Sequence, residues 1–274
     1  MDILPDGGSD MSTSETPWLR ELTIAQEAAT AASAILLEGW GKRPEFHFKS
    51  SETDLVTEFD GRAEAAVVHA LAGAFPNDTI VGEEGGGQAG TSRRAWHVDP
   101  LDGTTNFAHG LPIFCTSVGL LVEDKPVLGV VTAPALGWTF RGVAGHGAFL
   151  NDNPIHTSDV TDLGRALLVT GFPYLRGGQY DNLAEFGAFM RASQGVRRLG
   201  SAALDLCFVA CGWLDGFWER HIKSWDLVAG AAIVLAAGGQ VSDPGGGSFV
   251  AQTGCVLASN GHIHEAMRSG LASV

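Results

Sequence analysis

Apolar positions recur at helical spacing over two early stretches of the chain. Trp18, Leu19, Leu22, Ala25, Ala29 and Ala32 share one face, with Thr16 as N-cap and Pro17 as the first helical residue. That run ends near Gly39-Trp40-Gly41. A second face, Ala63, Val67, Leu71 and Phe75, predicts a helix that stops before Pro76. Thr57 caps it, with Asp60 in its first turn as a capping-box variant. Between the two helices, the polar part of 49–60 reads as a loop.

The period then shortens. A strand at 79–82 runs into Glu83-Glu84 and a glycine-rich loop, 85–90. An apolar run ends in strand form at 96–98. Stretches 115–123, 127–133, 138–143 and 148–150 are β-rich, with turns at 124–126, Gly145 and 151–154, which predicts an antiparallel meander. From 166 onward strands and helices alternate: strands at 166–170, 196–199 and 214–219, and helices at 180–192 and 204–211. Leu183, Phe186 and Met190 point the first of these helices toward the core. A third helix opens at Trp225-Asp226 and ends at Gly238-Gly239, and strands near 240–241 and 256–258 follow. His262 and His264 read as surface residues at a terminal helix start. The whole predicts a mixed α/β fold. Residues 1–15 read as a disordered tail; 16–274 form one unit, an α+β half to about 155 and an α/β half after it.

Composition narrows the function. The 274 residues carry a formal net charge of -14, which argues against binding a nucleic-acid backbone. The 45% of hydrophobic residues supply a sizeable core, and 37 glycines imply many tight turns. The four cysteines form no C-x-x-C pair, and Cys207 and Cys211 sit four apart on an apolar helix as buried thiols. The N-terminal stretch lacks the basic and apolar parts of a secretion signal, and the longest apolar run, 227–237, is too short to span a bilayer. The expectation is a cytoplasmic protein without membrane contact.

The chemistry concentrates in 96–107, WHVDPLDGTTNF. Pro100 and Gly103 bend the chain so that Asp99 and Asp102 can face one point. Two carboxylates there repel each other unless a cation lies between them, and oxygen donors suit hard divalent ions such as Mg²⁺. The same residues are also good turn chemistry. Further acids stand at element junctions: Glu83 at a strand end, Asp226 at a helix start and Asp60 at another. Such junctions build ligand sites in α/β folds. The glycine-rich loop after Glu84 matches neither a dinucleotide nor a Walker A pattern.

Taken in order, these segments resemble the inositol monophosphatase family. The resemblance rests on Lys49 through Asp60, Gly82-Glu83-Glu84, Asp99 through Phe107, Gly200-Ser201-Ala202-Ala203, Trp225-Asp226 with Ala229-Gly230, and Gly238-Gly239. It runs from about Trp18 to the C-terminus. It implies a layered αβαβα sandwich, dependence on two or three Mg²⁺ ions, lithium sensitivity and a homodimer. It implies metal ligation by Glu83, Asp99, the Leu101 carbonyl, Asp102 and Asp226, with Asp60 at a weaker additional ion. Phosphate would contact the Gly103 and Thr104 backbone N–H groups. Gly200, Ser201 and Ala202 would form the substrate loop, and Glu219 would accept hydrogen bonds from substrate hydroxyls. The implied reaction is direct attack of a metal-activated water on a phosphate monoester, with Glu83, Asp99 and Thr104 as catalytic groups. A small phosphorylated polyol is the expected substrate, with inositol 1-phosphate first. Histidinol phosphate, fructose 1,6-bisphosphate and 3′-phosphoadenosine phosphate are alternatives, as is a non-catalytic binding protein. Ser201, Asp205 and Glu219 favour a neutral polyol, while Arg220, His221 and Lys223 leave room for a second phosphate.

Overall fold

An alanine-rich face lets the first two helices lie close together. In a computed structural model describing residues 18–49, 55–173 and 180–273, α1 (Leu19–Gly39) buries Ala25, Ala28, Ala29 and Ala32. The expected tail, and the Thr16-Pro17 helix start, lie outside the described residues. β1 (Phe46–Phe48), absent from the sequence expectation, pairs antiparallel with β2 (Leu55–Thr57). Thr57 then caps α2 (Glu58–Ala74) through the expected capping box with Asp60. α1 and α2 pack on each other and on one face of the main sheet.

That sheet has eight strands. In chain order they are β3 (Thr79–Gly82), β4 (Gly87–Gln88), β5 (Arg94–Asp102), β6 (Cys115–Val122), β7 (Lys125–Ala133), β8 (Trp138–Val143), β9 (Gly147–Leu150) and β10 (Asn153–Ile155). In space they run β10-β9-β8-β7-β6-β5-β3-β4. Among the described residues of this sheet only β3 and β5 pair in parallel; β6 through β9 form the expected antiparallel meander, which β5 and β10 extend. Two details differ from expectation. Gly87-Gln88 pairs with Ile80-Val81 inside the glycine-rich loop. Asn153-Pro154 continues as strand, because Asn151 at φ 52 has already turned the chain. Short α3 (Thr104–His109) follows β5.

The second half forms a smaller sheet and four helices. They are β11 (Leu167–Thr170), α4 (Leu183–Ala192), β12 (Gly195–Arg197), α5 (Ala202–Ala210), β13 (Gly216–Arg220), α6 (Ser224–Ala236), β14 (Gln240–Ser242), β15 (Cys255–Ser259) and α7 (His264–Ala272). The five strands lie in the order β12-β11-β13-β15-β14. α5 and α6 fill the space between the sheets, and α4 and α7 cover the outer side of the smaller one. The layers therefore alternate αβαβα, as the resemblance implied.

α4 corrects one expectation. Leu183 and Met190 are 61% and 47% exposed, whereas Phe189 and Glu185 are buried. The helix starts later than Tyr180, after Asn182 in the left-handed region at φ 60. Asn182 is held there: its Nδ2 donates to Gly171 O at 2.6 Å, and its Oδ1 accepts from Trp218 Nε1 at 2.7 Å. That phase aims Phe189 at Trp218, ring to ring at 4.6 Å. His264 is likewise a buried residue and not a surface one; its ring bridges Ser259 Oγ at 2.9 Å and Ser242 Oγ at 2.8 Å.

Some glycines serve close packing and not turns. Gly119, Gly129 and Gly142 lie side by side across β6, β7 and β8. A Cβ at Gly129 would stand 2.1 Å from Ala229 O, and one at Gly119 2.5 Å from Ala229 N. Their absence makes a trough in which α6 rests. Helix α6 is apolar on every side, from Leu227 to Val234, because it is covered by both sheets and α5. Among the described residues no helix is long and apolar enough to cross a membrane.

Candidate active site

A solvent-open cavity lies where the ends of β3, β5 and β13 meet the starts of α3, α5 and α6. Strand β5 carries the central pair. Residues three apart on a regular strand face opposite sides. A register shift between Asp99 and Asp102 removes that alternation, and both side chains border the cavity. Asp99 Oδ1 accepts the Leu101 N–H at 2.9 Å. Asp102 Oδ2 accepts from Ser201 Oγ at 2.6 Å and from Ala203 N at 2.8 Å, across the two halves of the chain.

Gly103 follows at φ 90, where a side chain is strained, and a Cβ there would sit 2.8 Å from Ile113 O. This lets Thr104 open α3 at the cavity edge. Thr104 Oγ1 donates to Leu101 O at 3.0 Å and lies 3.3 Å from Asp60 Oδ1. Asp226 sits in the first turn of α6, where its Oδ2 accepts the Lys223 N–H at 2.8 Å. The glycine trough under α6 fixes how near this carboxylate stands to β5. Glu83, from the end of β3, receives Lys49 Nζ at 2.9 Å, and Lys49 also pairs with Glu84.

The electrostatics are severe. Burial raises Asp99 well above the ordinary carboxylate range, and the charges of Glu83, Asp102 and Asp226 raise it further. Burial lifts Asp226 to about 8, with Asp102 and Glu83 adding to the effect. Asp102 is lifted to about 6 by burial, although Ser201 and Ala203 pull it down. Burial alone would depress Lys49, but Glu83 and Glu84 hold its ammonium above the usual value.

Among the described residues no three acidic, histidine or cysteine side chains stand in a ready-made metal cage. Their bonds explain this: Glu83 turns to Lys49, and Asp102 to Ser201 and Ala203. The donor set nevertheless fits hard divalent cations. Every donor is oxygen, four carboxylates border one cavity, and three of them resist ionising together.

Glu83, Asp99, Leu101, Asp102, Gly103, Thr104, Gly200, Ser201, Ala202, Glu219 and Asp226 therefore all meet at this cavity. Asp60 stands apart. It is fully buried behind Thr104, with Oδ2 engaged by Thr57 N and Oγ1. His221 and Lys223 reach the rim, whereas Arg220 packs its guanidinium on Tyr180 at 5.5 Å. Two contributors were not singled out from the sequence. Arg198 lines the cavity next to the substrate loop. Glu64, buried on α2, receives the N–H groups of Glu84 and Gly86. Its position four residues after Asp60 was the available signal.

Known proteins resemble the chain over most of its length. The chain is 45% identical over 268 residues to an inositol-1-monophosphatase of Synechocystis sp., covering 97% of this chain and 91% of that one. It is 37% identical to a protein of Pasteurella multocida named Nus factor SuhB, covering 87% and 90%. The solved inositol monophosphatase of Anabaena (Nostoc) sp. superposes with a TM-score of 0.86 at 42% identity, covering 94% of this chain and 98% of that one. The inositol monophosphatase family model matches residues 18–273, and with these relatives it shows that the chain belongs to the inositol monophosphatase family.

Proposed function

We propose that the protein hydrolyses inositol 1-phosphate in a Mg²⁺-dependent reaction, using the cavity between β5, α3, α5 and α6. As a family member it is a phosphoric monoester hydrolase. The names of its relatives favour inositol phosphate over histidinol phosphate, fructose 1,6-bisphosphate and 3′-phosphoadenosine phosphate. The observation that carries the reading is the convergence of Glu83, Asp99, Asp102 and Asp226 on one cavity.

Glu83, Asp99, the Leu101 carbonyl, Asp102 and Asp226 would hold two Mg²⁺ ions, and Asp60 would serve a weaker third. When bound, the cations supply charge neutralisation and Lewis acidity. The chain supplies position and proton transfer. Gly103 and Thr104 direct backbone N–H groups to the phosphate. Thr104 Oγ1, with Glu83, takes a proton from the attacking water. Its neighbour Asp60 Oδ1, at 3.3 Å, can receive that proton, and burial lifts Asp60 to about 6. Ser201, at the N-cap of α5, steadies the substrate loop by bonding Asp102. Glu219, buried at the end of β13, accepts from substrate hydroxyls.

The four cysteines are free, in keeping with a reducing, cytoplasmic setting. A homodimer is the assembly expected of the chain; light scattering tests it. Phosphate release from inositol 1-phosphate, with and without Mg²⁺ and beside the three alternative substrates, tests the activity. Turnover that ignores Mg²⁺, or that prefers another substrate by tenfold, overturns the reading.

A further inference from the structure

One carboxylate at the cavity has no part in the mechanism above. Asp205 is the only polar residue of α5, in its first turn. It is 1% exposed, and its Oδ1 is buried without a hydrogen-bond partner among the described residues. An acid near a helix N-terminus favours the helix dipole. Ser201 already caps this helix, accepting the Leu204 N–H, and a dipole contact does not require burial. A buried oxygen without a donor is a standing penalty in the free protein.

The surroundings show what would relieve it. Asp205 and Glu219 border the same cavity, from α5 and β13. Burial lifts both carboxyls; Glu219 adds to the effect on Asp205, Asp226 adds to the effect on Glu219, and Arg198 partly opposes the rise of each. The Arg198 guanidinium also backs the substrate loop, where a Cβ at Gly200 would meet Nη1 at 2.5 Å. Across the cavity wall, Gly171 closes on Glu219 so tightly that a Cβ would stand 2.2 Å from both carboxylate oxygens. Glu219 therefore cannot move toward Gly171, and Asp205 is 1% exposed.

We propose that Asp205 determines substrate specificity, pairing with Glu219 to accept hydrogen bonds from two hydroxyl groups of the substrate's alcohol portion. The inference rests on the reading that a polyol phosphate occupies this cavity. A neutral polyol satisfies both carboxylates. An alcohol portion with an anionic group at that place is repelled, and one without hydroxyls leaves the acids unpaired. Sites built to bond a hydroxyl discriminate strongly against analogues lacking it.

The test compares Asp205→Asn with the unaltered protein on two substrates, inositol 1-phosphate and p-nitrophenyl phosphate, both with Mg²⁺. The ratio of their kcat/KM values falls about 10- to 100-fold in the variant, the effect of one hydrogen bond to a charged group. An unchanged ratio overturns the proposal, whether both activities persist or fall together. Should the variant not fold, the unaltered protein is assayed on inositol 1-phosphates lacking one hydroxyl each. Tenfold losses at two ring positions support the pairing, and uniform tolerance overturns it. If the unaltered protein cleaves p-nitrophenyl phosphate but not inositol 1-phosphate, the assigned substrate is wrong. The Asp205 claim is then read from the same ratio with glycerol 2-phosphate.

Discussion

Glu64 Oε1 accepts the backbone N–H of Gly86 at 2.6 Å, and its Oε2 accepts that of Glu84 at 2.8 Å. One buried carboxylate on α2 thereby pins the loop that carries Glu83. Groups that hold metal ligands in place typically contribute 10- to 100-fold to metal affinity or activity. Glu64→Gln should therefore raise the Mg²⁺ concentration for half-maximal activity by about tenfold or more. Calorimetric titration with Mg²⁺ checks it independently of turnover. Glu64→Ala leaves two amides unpaired and should lower stability by about 1–3 kcal/mol in denaturant melts.

Asp99→Asn and Asp226→Asn should each lower kcat by about 10³, because charge neutralisation is the largest catalytic contribution in such sites. Both proteins should fold, with unchanged circular dichroism. Activity near that of the unaltered chain in either variant removes Asp99 or Asp226 from the catalytic set.

The crowded acids also make stability depend on pH. Asp226 and Glu219 are each lifted to about 8 by burial, far above their values in an unfolded chain. The folded protein thus binds more protons than the unfolded one between those limits. Stability is full below the unfolded pKa values and is lost as pH rises through about 8. His97, lowered to about 4 by burial, works in the opposite sense only at acid pH. In chelator, Tm should fall between pH 6.5 and 8, and Asp226→Asn should flatten that slope. Mg²⁺ should raise Tm more at pH 8 than at 6.5, since it competes with the protons.

The trough beneath α6 gives a packing prediction. Gly129→Ala places a methyl group 2.1 Å from Ala229 O, so the helix must lift from the sheet. Overpacking of this kind costs about 1–3 kcal/mol. Because Asp226 rides on the same helix, kcat should fall along with Tm. Gly137→Ala, at φ 67 with nothing within 4 Å, should lose stability alone and serves as the control.

Much of this site is local in the chain and so was legible there. Asp99-Pro100-Leu101-Asp102-Gly103-Thr104 holds two carboxylates, a bend and a helix start within six residues. Thr57 and Asp60 announced their own cap. What stayed hidden depends on partners distant in sequence. Gly119, Gly129 and Gly142 lie within predicted strands, but nothing local says why they are glycine until the strand register sets them side by side beneath a helix. Glu64 looks like any helical glutamate until the loop after β3 folds over it. α4 was misphased because Asn182, not Tyr180, precedes its first turn, and that asparagine is fixed by Thr170, Gly171 and the distant Trp218.

The bond from Ser201 to Asp102 spans 99 residues, and Asp226 lies further on still. A chain emerging from the ribosome can complete the meander around Asp102 long before either partner exists. Catalytic competence is then a late event, gained only when the second sheet docks. Recovery of phosphate release after dilution from denaturant should lag behind burial of Trp96 and coincide with that of Trp218, so turnover itself marks the end of folding.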